Sequence, residues 1–369
     1  MSWENNVRRV TPYIPGEQPK VNGIIKLNTN ENPYPPSPKV QEVLKNFDYS
    51  KLTLYPDPNC TKLVEAIVDY HSLRPGQVFV GVGSDDVIST AFMAFFNNTD
   101  DEHPILFPDV TYSFYKVWAD VHNVKYKEIP LNEDFLMYDN CDEYFKSNRG
   151  IIFPNPNAPT GRPVVLKCIE EIVSNNPNSV VIIDEAYIDF VTNYSPDNFG
   201  TCLDMINNYD NLLVVRTFSK SRSMAGMRIG YAVGSEKLIK YLNDVKFSIN
   251  SYTMSNLALE CGVASIEDDN YFNEQIKRIC KTRSNTVARL QDLGFSIPRS
   301  WANFVFAKCP KTENCLEGSE GIYIFNALKK RKIYVRHWNE PKIKDYLRIT
   351  IGTDEQMNAL ISALEEILK

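Results

Sequence analysis

Two stretches set groups able to do chemistry at the ends of apolar runs, where an open α/β sheet binds its ligands. In VVRTFSKSRSMAGMRIGY, a strand-like run leads into Ser219 and Lys220, and Arg228 follows on the same stretch. A hydroxyl, an amine and a guanidinium so close together form a dense cluster of cationic and hydrogen-bond-donating groups. A lone lysine is usually a solvated surface residue, but its place after an apolar run argues for a working role. In VVIIDEAYIDF, Asp184 ends an apolar run and Tyr187 follows shortly after it. Burying a carboxylate there is costly unless a cation faces it, although a helix N-cap would also explain the residue.

Three further stretches carry weaker signals. VGVGSDD follows a strand and opens a helix, so Gly83, Ser84 and Asp85 stand where backbone N–H groups could meet an anion. It is no dinucleotide fingerprint, because Asp86 occupies the place of the last glycine, and a plain tight turn would read the same way. NPNAPTG at 155–161 forces a rigid turn and could be no more than a loop. YLRITIGT and IYVRHW put Arg348 and Arg336 among apolar neighbours, where each needs a carboxylate or phosphate partner or an internal salt bridge.

The elements that must position these groups alternate along the chain. TKLVEAIVDYH and DDVISTAFMAFF have helical character, and VFVGVGS, PILFPD, KYKEIP, GIIFPN, SVVIIDEAY, NLLVVRTFS and RIGYAVG read as strands. Near-continuous apolar strands suit a sheet covered on both faces. The expectation is an α/β fold with a mostly parallel sheet flanked by helices. After about residue 250, long helical stretches flank the strands NFVFAKC, KIYVRHW and YLRITIG, as in a smaller α+β domain. The expected division is an N-terminal arm (1–28), a large domain (29–250) and a small C-terminal domain (251–369). The first 40 residues are rich in proline and resist helix and sheet. Tyr13, Ile14, Ile24, Ile25, Leu27 and Tyr34 give them apolar anchors, so an ordered arm packed on the body or on a partner chain is expected.

Composition narrows the function. The 369 residues are 43% hydrophobic and 23% charged, with a net charge of −6. That suits a globular chain with a large core and argues against sequence-independent nucleic-acid binding. The eight cysteines form no C-x-x-C pair and the four histidines lie far apart, so no metal site is expected. The cysteines read as reduced thiols of a cytoplasmic protein. No secretory apolar region and no membrane-length apolar run is present.

Taken together, LNTNENPYPPSP, LTLYPDP, GSDD, DVTYSFY, NPNAPTG, IDEAYIDF, RTFSK and AGMRIGY, in that order, resemble the fold type I aminotransferases that use pyridoxal 5′-phosphate. Within these the chain is most similar to the histidinol-phosphate aminotransferase family, from TPY at 11–13 to LRITIGT at 347–353. The resemblance implies a large sheet domain, a smaller C-terminal domain and the cofactor between them. It makes Lys220 the lysine that bonds the cofactor aldehyde, Asp184 the partner of the pyridine nitrogen and Tyr187 a donor to the ring oxygen O3′. Tyr112 would lie on the ring face. Ser219, Arg228 and the amides of Ser84 and Asp85 would hold the phosphate, joined by Tyr55 of a second chain in a homodimer. Arg348, Arg336, Tyr13 and Asn30 would meet substrate; Asn303 lies in a motif near them. Where many members have an asparagine before PTG, this chain has Ala158, and Asn157 is expected to turn in to O3′ instead.

The reaction implied is exchange of an amino group between histidinol phosphate and 2-oxoglutarate. An aromatic amino-acid aminotransferase and a decarboxylase of a phosphorylated amino acid share the same cofactor frame. A transcription regulator built on this fold would need an N-terminal DNA-binding domain, for which the proline-rich start leaves no room.

Overall fold

The apolar runs become a seven-stranded sheet because each can be covered on both faces. The computed structural model describes residues 2–191, 199–313, 315 and 318–369, with the backbone alone at 138–140. The strands are β1 (Ile25–Lys26), β2 (Val78–Gly81), β3 (Ile105–Pro108), β4 (Tyr126–Ile129), β5 (Gly150–Pro154), β6 (Val181–Asp184), β7 (Leu212–Thr217), β8 (Gly230–Gly234), β9 (Phe304–Lys308), β10 (Ile333–Tyr334), β11 (Arg336–His337) and β12 (Tyr346–Thr350). The helices are α1 (Pro38–Asn46), α2 (Thr61–His71), α3 (Ser84–Phe95), α4 (Phe114–His122), α5 (Leu166–Asn175), α6 (Glu236–Ile249), α7 (Asn256–Ile266), α8 (Asp269–Asp292), α9 (Glu320–Lys330) and α10 (Asp354–Ile367). Serines cap several of them: Ser37, Ser235, Ser255 and Ser319 each accept a first-turn amide, and Thr353 with Gln356 closes a capping box on α10.

The large sheet runs β2-β8-β7-β6-β5-β3-β4. Its β7-β6-β5-β3-β4 part is parallel, while β8 is antiparallel to both β7 and β2. β5, β6, β7 and β8 are buried along their whole length. Register sets Asp184 level with Pro154 and Val215, so the ends of β5, β6 and β7 form one edge. One apolar cluster fills each face of this sheet, and α7 packs within the first of them through Ala258, Leu259 and Cys261. A third cluster surrounds the antiparallel sheet β11-β12-β9 together with α8, α9 and α10.

Two expectations change. KIYVRHW is not one strand: the chain changes sheets at buried Val335, so β10 pairs in parallel with β1 of the arm while β11 pairs with β12. A continuous apolar run gives no warning of such a switch. The eight cysteines are not all thiols either. Cys141 and Cys168, 27 positions apart, are joined by a disulfide with Cα atoms 6.8 Å apart. The 3₁₀ helix Tyr138–Phe145 lies against α5, which brings the two together across a distance that spacing cannot reveal. The arm is anchored at β1 and at Leu27, whereas Ile14 is exposed. Among the described residues no helix is long and apolar enough to cross a membrane.

Gly230 marks a close approach. A Cβ there would press well inside van der Waals contact of the Gly83 carbonyl carbon and the Ser84 nitrogen, at the start of α3. Gly226 has open space around it. Gly230→Ala is expected to lower stability by about 1–3 kcal/mol, as overpacking does, and Gly226→Ala to leave the urea midpoint nearly unchanged. Matching midpoints for the two variants would contradict this packing.

Candidate active site

Two adjacent carboxylates at the end of β6 are treated differently. Glu185 is buried and paired: Arg216 reaches it at 2.9 Å, Thr201 Oγ1 donates at 2.9 Å and the Cys202 amide at 2.6 Å. Asp184, only 5% exposed, has neutral donors alone, the Tyr115 hydroxyl at 3.0 Å and the Ala186 amide at 3.1 Å. Among the described residues no side-chain cation lies within salt-bridge distance of it. Burial outweighs these hydrogen bonds and raises its pKa to about 6. It is not a helix cap. A buried carboxylate without its own cation suits a ligand that brings one.

Asp184 lines a cavity of about 160 Å³ together with Lys220, Tyr187, Tyr112, Ser219, Arg228, Ser84 and Asp85. Lys220 comes just after β7, and its Nζ donates to the Thr29 carbonyl at 3.3 Å. Helix α3 begins at Ser84 after Gly83, whose φ of 84° suits glycine and which supplies no capping side chain. The amides of Ser84 and Asp85 find no acceptor among the described residues, so the helix start faces the cavity with free donors. Arg228 completes this corner. Its guanidinium contacts the Asp85 carboxylate at 3.2 Å and Ser219 Oγ at 3.4 Å. Tyr112 donates to Asp85 at 3.0 Å and meets Tyr115 edge to face.

Other expected residues lie around the cavity rather than in it. Asn157 does not turn in. Its Nδ2 donates to the Val110 carbonyl and to Thr160, both at 2.9 Å, and its Oδ1 accepts from Thr111. With both amide ends committed to the loop, Ala158 lines the cavity instead. Asn30 is likewise a scaffold residue. Its Nδ2 donates to the Tyr187 hydroxyl at 2.8 Å and its Oδ1 accepts from Thr350. That leaves the Tyr187 proton available to the cavity. Asn303 donates to the Asn30 carbonyl at 2.9 Å. Arg348 is half-buried, donates to the Asn28 carbonyl at 2.8 Å and lies within electrostatic reach of Tyr187, Tyr13 and Tyr112. Among the described residues its Nε is buried without a partner. Arg336 donates to the Ile14 carbonyl, and Tyr13 stacks on Phe114. Among the described residues neither arginine has the internal salt bridge that its sequence context allowed. Tyr55 is 80% exposed, stacked on Tyr252 at a separate apolar cavity of about 580 Å³.

Pyridoxal phosphate carries an aldehyde, a pyridine nitrogen and a phosphate. An amine, a carboxylate lacking a cation, and an arginine beside free helix-start amides are all present, so the residues fit the group. Tyr115, Thr29 and Glu31, which also line or back the cavity, carried no expectation from the sequence. Tyr115 had a signal, since it stands in the DVTYSFY stretch with Tyr112, in the first turn of α4. Thr29 acts through its carbonyl and has no side-chain signal.

Asp184 binds its proton more tightly folded than unfolded, so it opposes folding as pH rises from 3.8 to about 6. The cost is absent below that interval and is on the order of 3 kcal/mol above it. Cofactor-free Asp184→Asn is therefore expected to be more stable than wild type at pH 7.5, with the gap closing toward pH 4. Thermal unfolding across this range checks it; a gap independent of pH would contradict it.

Comparison with known proteins agrees with this geometry. The pattern of the family "Aminotransferase class I and II" matches residues 22–364. A histidinol-phosphate aminotransferase from Lactococcus lactis subsp. cremoris (strain MG1363) is 47% identical over 369 residues, covering 100% of this chain and 98% of that protein. The crystal structure of histidinol-phosphate aminotransferase from Sinorhizobium meliloti, in complex with pyridoxal-5′-phosphate, superposes with a TM-score of 0.81 at 20% identity, covering 94% of this chain and 90% of that one. That from Clostridium acetobutylicum superposes with a TM-score of 0.80 at 22% identity, covering 93% and 99%. At those identities the two structures establish the fold, the fold type I architecture. On the family pattern and the full-length identity, this chain belongs to the histidinol-phosphate aminotransferase family of class I and II aminotransferases.

Proposed function

We propose that this chain exchanges the amino group of histidinol phosphate with 2-oxoglutarate, giving imidazole-acetol phosphate and glutamate, with pyridoxal phosphate bonded to Lys220. The observation that carries the reading is a single cavity holding the Lys220 amine, the unpaired Asp184 carboxylate and the Arg228 corner. The relatives' names supply the substrate.

When bound, pyridoxal phosphate supplies an electron sink for the carbon that gives up its proton. Lys220 Nζ would be the amine that holds the cofactor's aldehyde carbon, and, once free, the base that carries a proton to and from the substrate carbon. Asp184 holds a proton on the ring nitrogen. Asn30 fixes Tyr187 so that its hydroxyl proton would be free to donate to the ring oxygen O3′, a contact Asn157 does not offer. Tyr112 bounds the ring face. Ser219, Arg228 and the amides of Ser84 and Asp85 bind the phosphate. Arg348 and Arg336 receive the anionic ends of the two substrates in turn, with Tyr13 beside them. The division into an arm (1–28), a large domain (29–250) and a small one (251–369) belongs to the same reading. The separate apolar clusters favour two bodies, but α7, inside 251–369, packs with the large sheet and so argues for a later boundary than 250.

The working unit in this reading is a homodimer in which Tyr55 reaches the neighbouring phosphate. Support comes from Tyr49, Leu52, Leu54 and Tyr55, each at least 67% exposed and bunched near the larger apolar cavity. A fully active monomer in sedimentation would contradict it. A cytoplasmic location is also proposed. The Cys141–Cys168 bond speaks against it, since a reducing compartment would open that pair.

A substrate panel tests the reaction. Histidinol phosphate should give the highest kcat/KM and require 2-oxoglutarate. Faster turnover of phenylalanine or tyrosine, or release of CO₂ from phosphothreonine with no keto acid, would overturn the assignment. Lys220→Ala should lower turnover by about 10²–10⁴-fold, the usual worth of a positioned proton carrier.

A further inference from the structure

We propose that Trp338 is a positioning residue that holds Arg336 and Arg348 together as one receptor for the anionic groups of a substrate, a phosphate or the carboxylates of a dicarboxylate. The proposal rests on the reaction given above, in which a phosphate and a dicarboxylate enter the same site in turn.

The register of β11 on β12 sets Arg336 directly opposite Arg348. Like charges so placed repel one another. Among the described residues the arginine ion pairs involve Arg216, Arg228 and Arg331, and none reaches Arg336 or Arg348. What the pair does have is one neutral acceptor each, the Ile14 and Asn28 carbonyls. These hold the guanidinium groups without neutralising them.

Trp338 is what the two share. The Arg336 guanidinium carbon lies 5.4 Å from the indole centroid and that of Arg348 5.3 Å, both within cation–π range. Trp338 comes directly after β11, two residues past Arg336, and its ring lies beside both guanidinium groups. A diagonal neighbour on the facing strand is within reach of an aromatic ring. The indole is itself held: it packs against the apolar cluster of the large sheet, whereas the arginines stand on the small one. The ring thereby offsets the repulsion with its negative face and ties the pair to the body that carries Lys220. It adds no hydrogen bond that a dianion would have to break. Without the ring, two flexible side chains would repel and separate, and a dianion would have to reassemble them.

The test uses holoenzyme and glutarate, a dicarboxylate that cannot accept an amino group, with binding measured by calorimetry. Trp338→Leu should weaken glutarate about tenfold, in line with two partly desolvated cation–π contacts, and Trp338→Phe should stay within about threefold of wild type. KM for 2-oxoglutarate and for histidinol phosphate should rise in Trp338→Leu by more than kcat falls. Protein made with fluorinated tryptophan keeps its shape but has a weaker ring face. Its glutarate affinity should fall with each added fluorine, and that response should vanish in the Trp338→Phe background, a readout that survives even if Trp338→Leu fails to fold. Wild-type affinity in Trp338→Leu, equal losses in the Leu and Phe variants, or no response to fluorination would each overturn the proposal. Absence of wild-type turnover with histidinol phosphate would sink the proposed substrate alone, because glutarate binding reads the arginine pair directly.

Discussion

The site depends on a carboxylate buried without its own cation. Asp184 ends β6 level with Pro154 and Val215, at the edge where the parallel strands stop. Its neighbour Glu185 receives Arg216, and Asp184 receives only a phenol and an amide. The fold could have satisfied Asp184 in the same way, and the cost of leaving it as it is falls on stability at neutral pH. In the proposed function a cationic ring nitrogen would remove that cost on binding, so that ligand affinity and the electronic character of the ring would come from one interaction.

The other parts of the site follow from where that strand edge lies. The turn after β7 brings Lys220 to it, the glycine-led start of α3 brings free amides, and β8 delivers Arg228 by running back antiparallel between β7 and β2. Gly230 lets β8 pass close to the start of α3. The arm closes the remaining side. Its β1 pairs with β10, its Thr29 carbonyl takes the Lys220 amine and its Asn30 fixes Tyr187. A segment that looks like proline-rich connection therefore joins the small sheet, the lysine and the tyrosine.

Much of this was legible in the sequence. Strands buried on both faces read as unbroken apolar runs, and a polar residue ending such a run stood out, as Asp184 did. Lys220, Ser219, Arg228, Ser84, Asp85 and Tyr112 gather round one cavity as their motifs suggested. What was hidden had no local signature. Val335 looks like any strand residue, yet the chain changes sheets there. Asn157 and Ala158 are adjacent, and only the commitments of the loop decide which side chain faces in. The Cys141–Cys168 bond depends on how a 3₁₀ helix meets α5. The pairing of Arg336 with Arg348 is a matter of register, which spacing along the chain does not encode.

The central claim is that Asp184 keeps the ring nitrogen of the bound cofactor protonated. The most direct measurement is the ¹⁵N NMR shift of pyridoxal phosphate labelled at that nitrogen and bound to the enzyme, followed from pH 6 to pH 9. The account predicts a protonated nitrogen throughout in the wild type and a neutral one in Asp184→Asn. A neutral or freely titrating nitrogen in the wild type, or the same shift in both proteins, would contradict it.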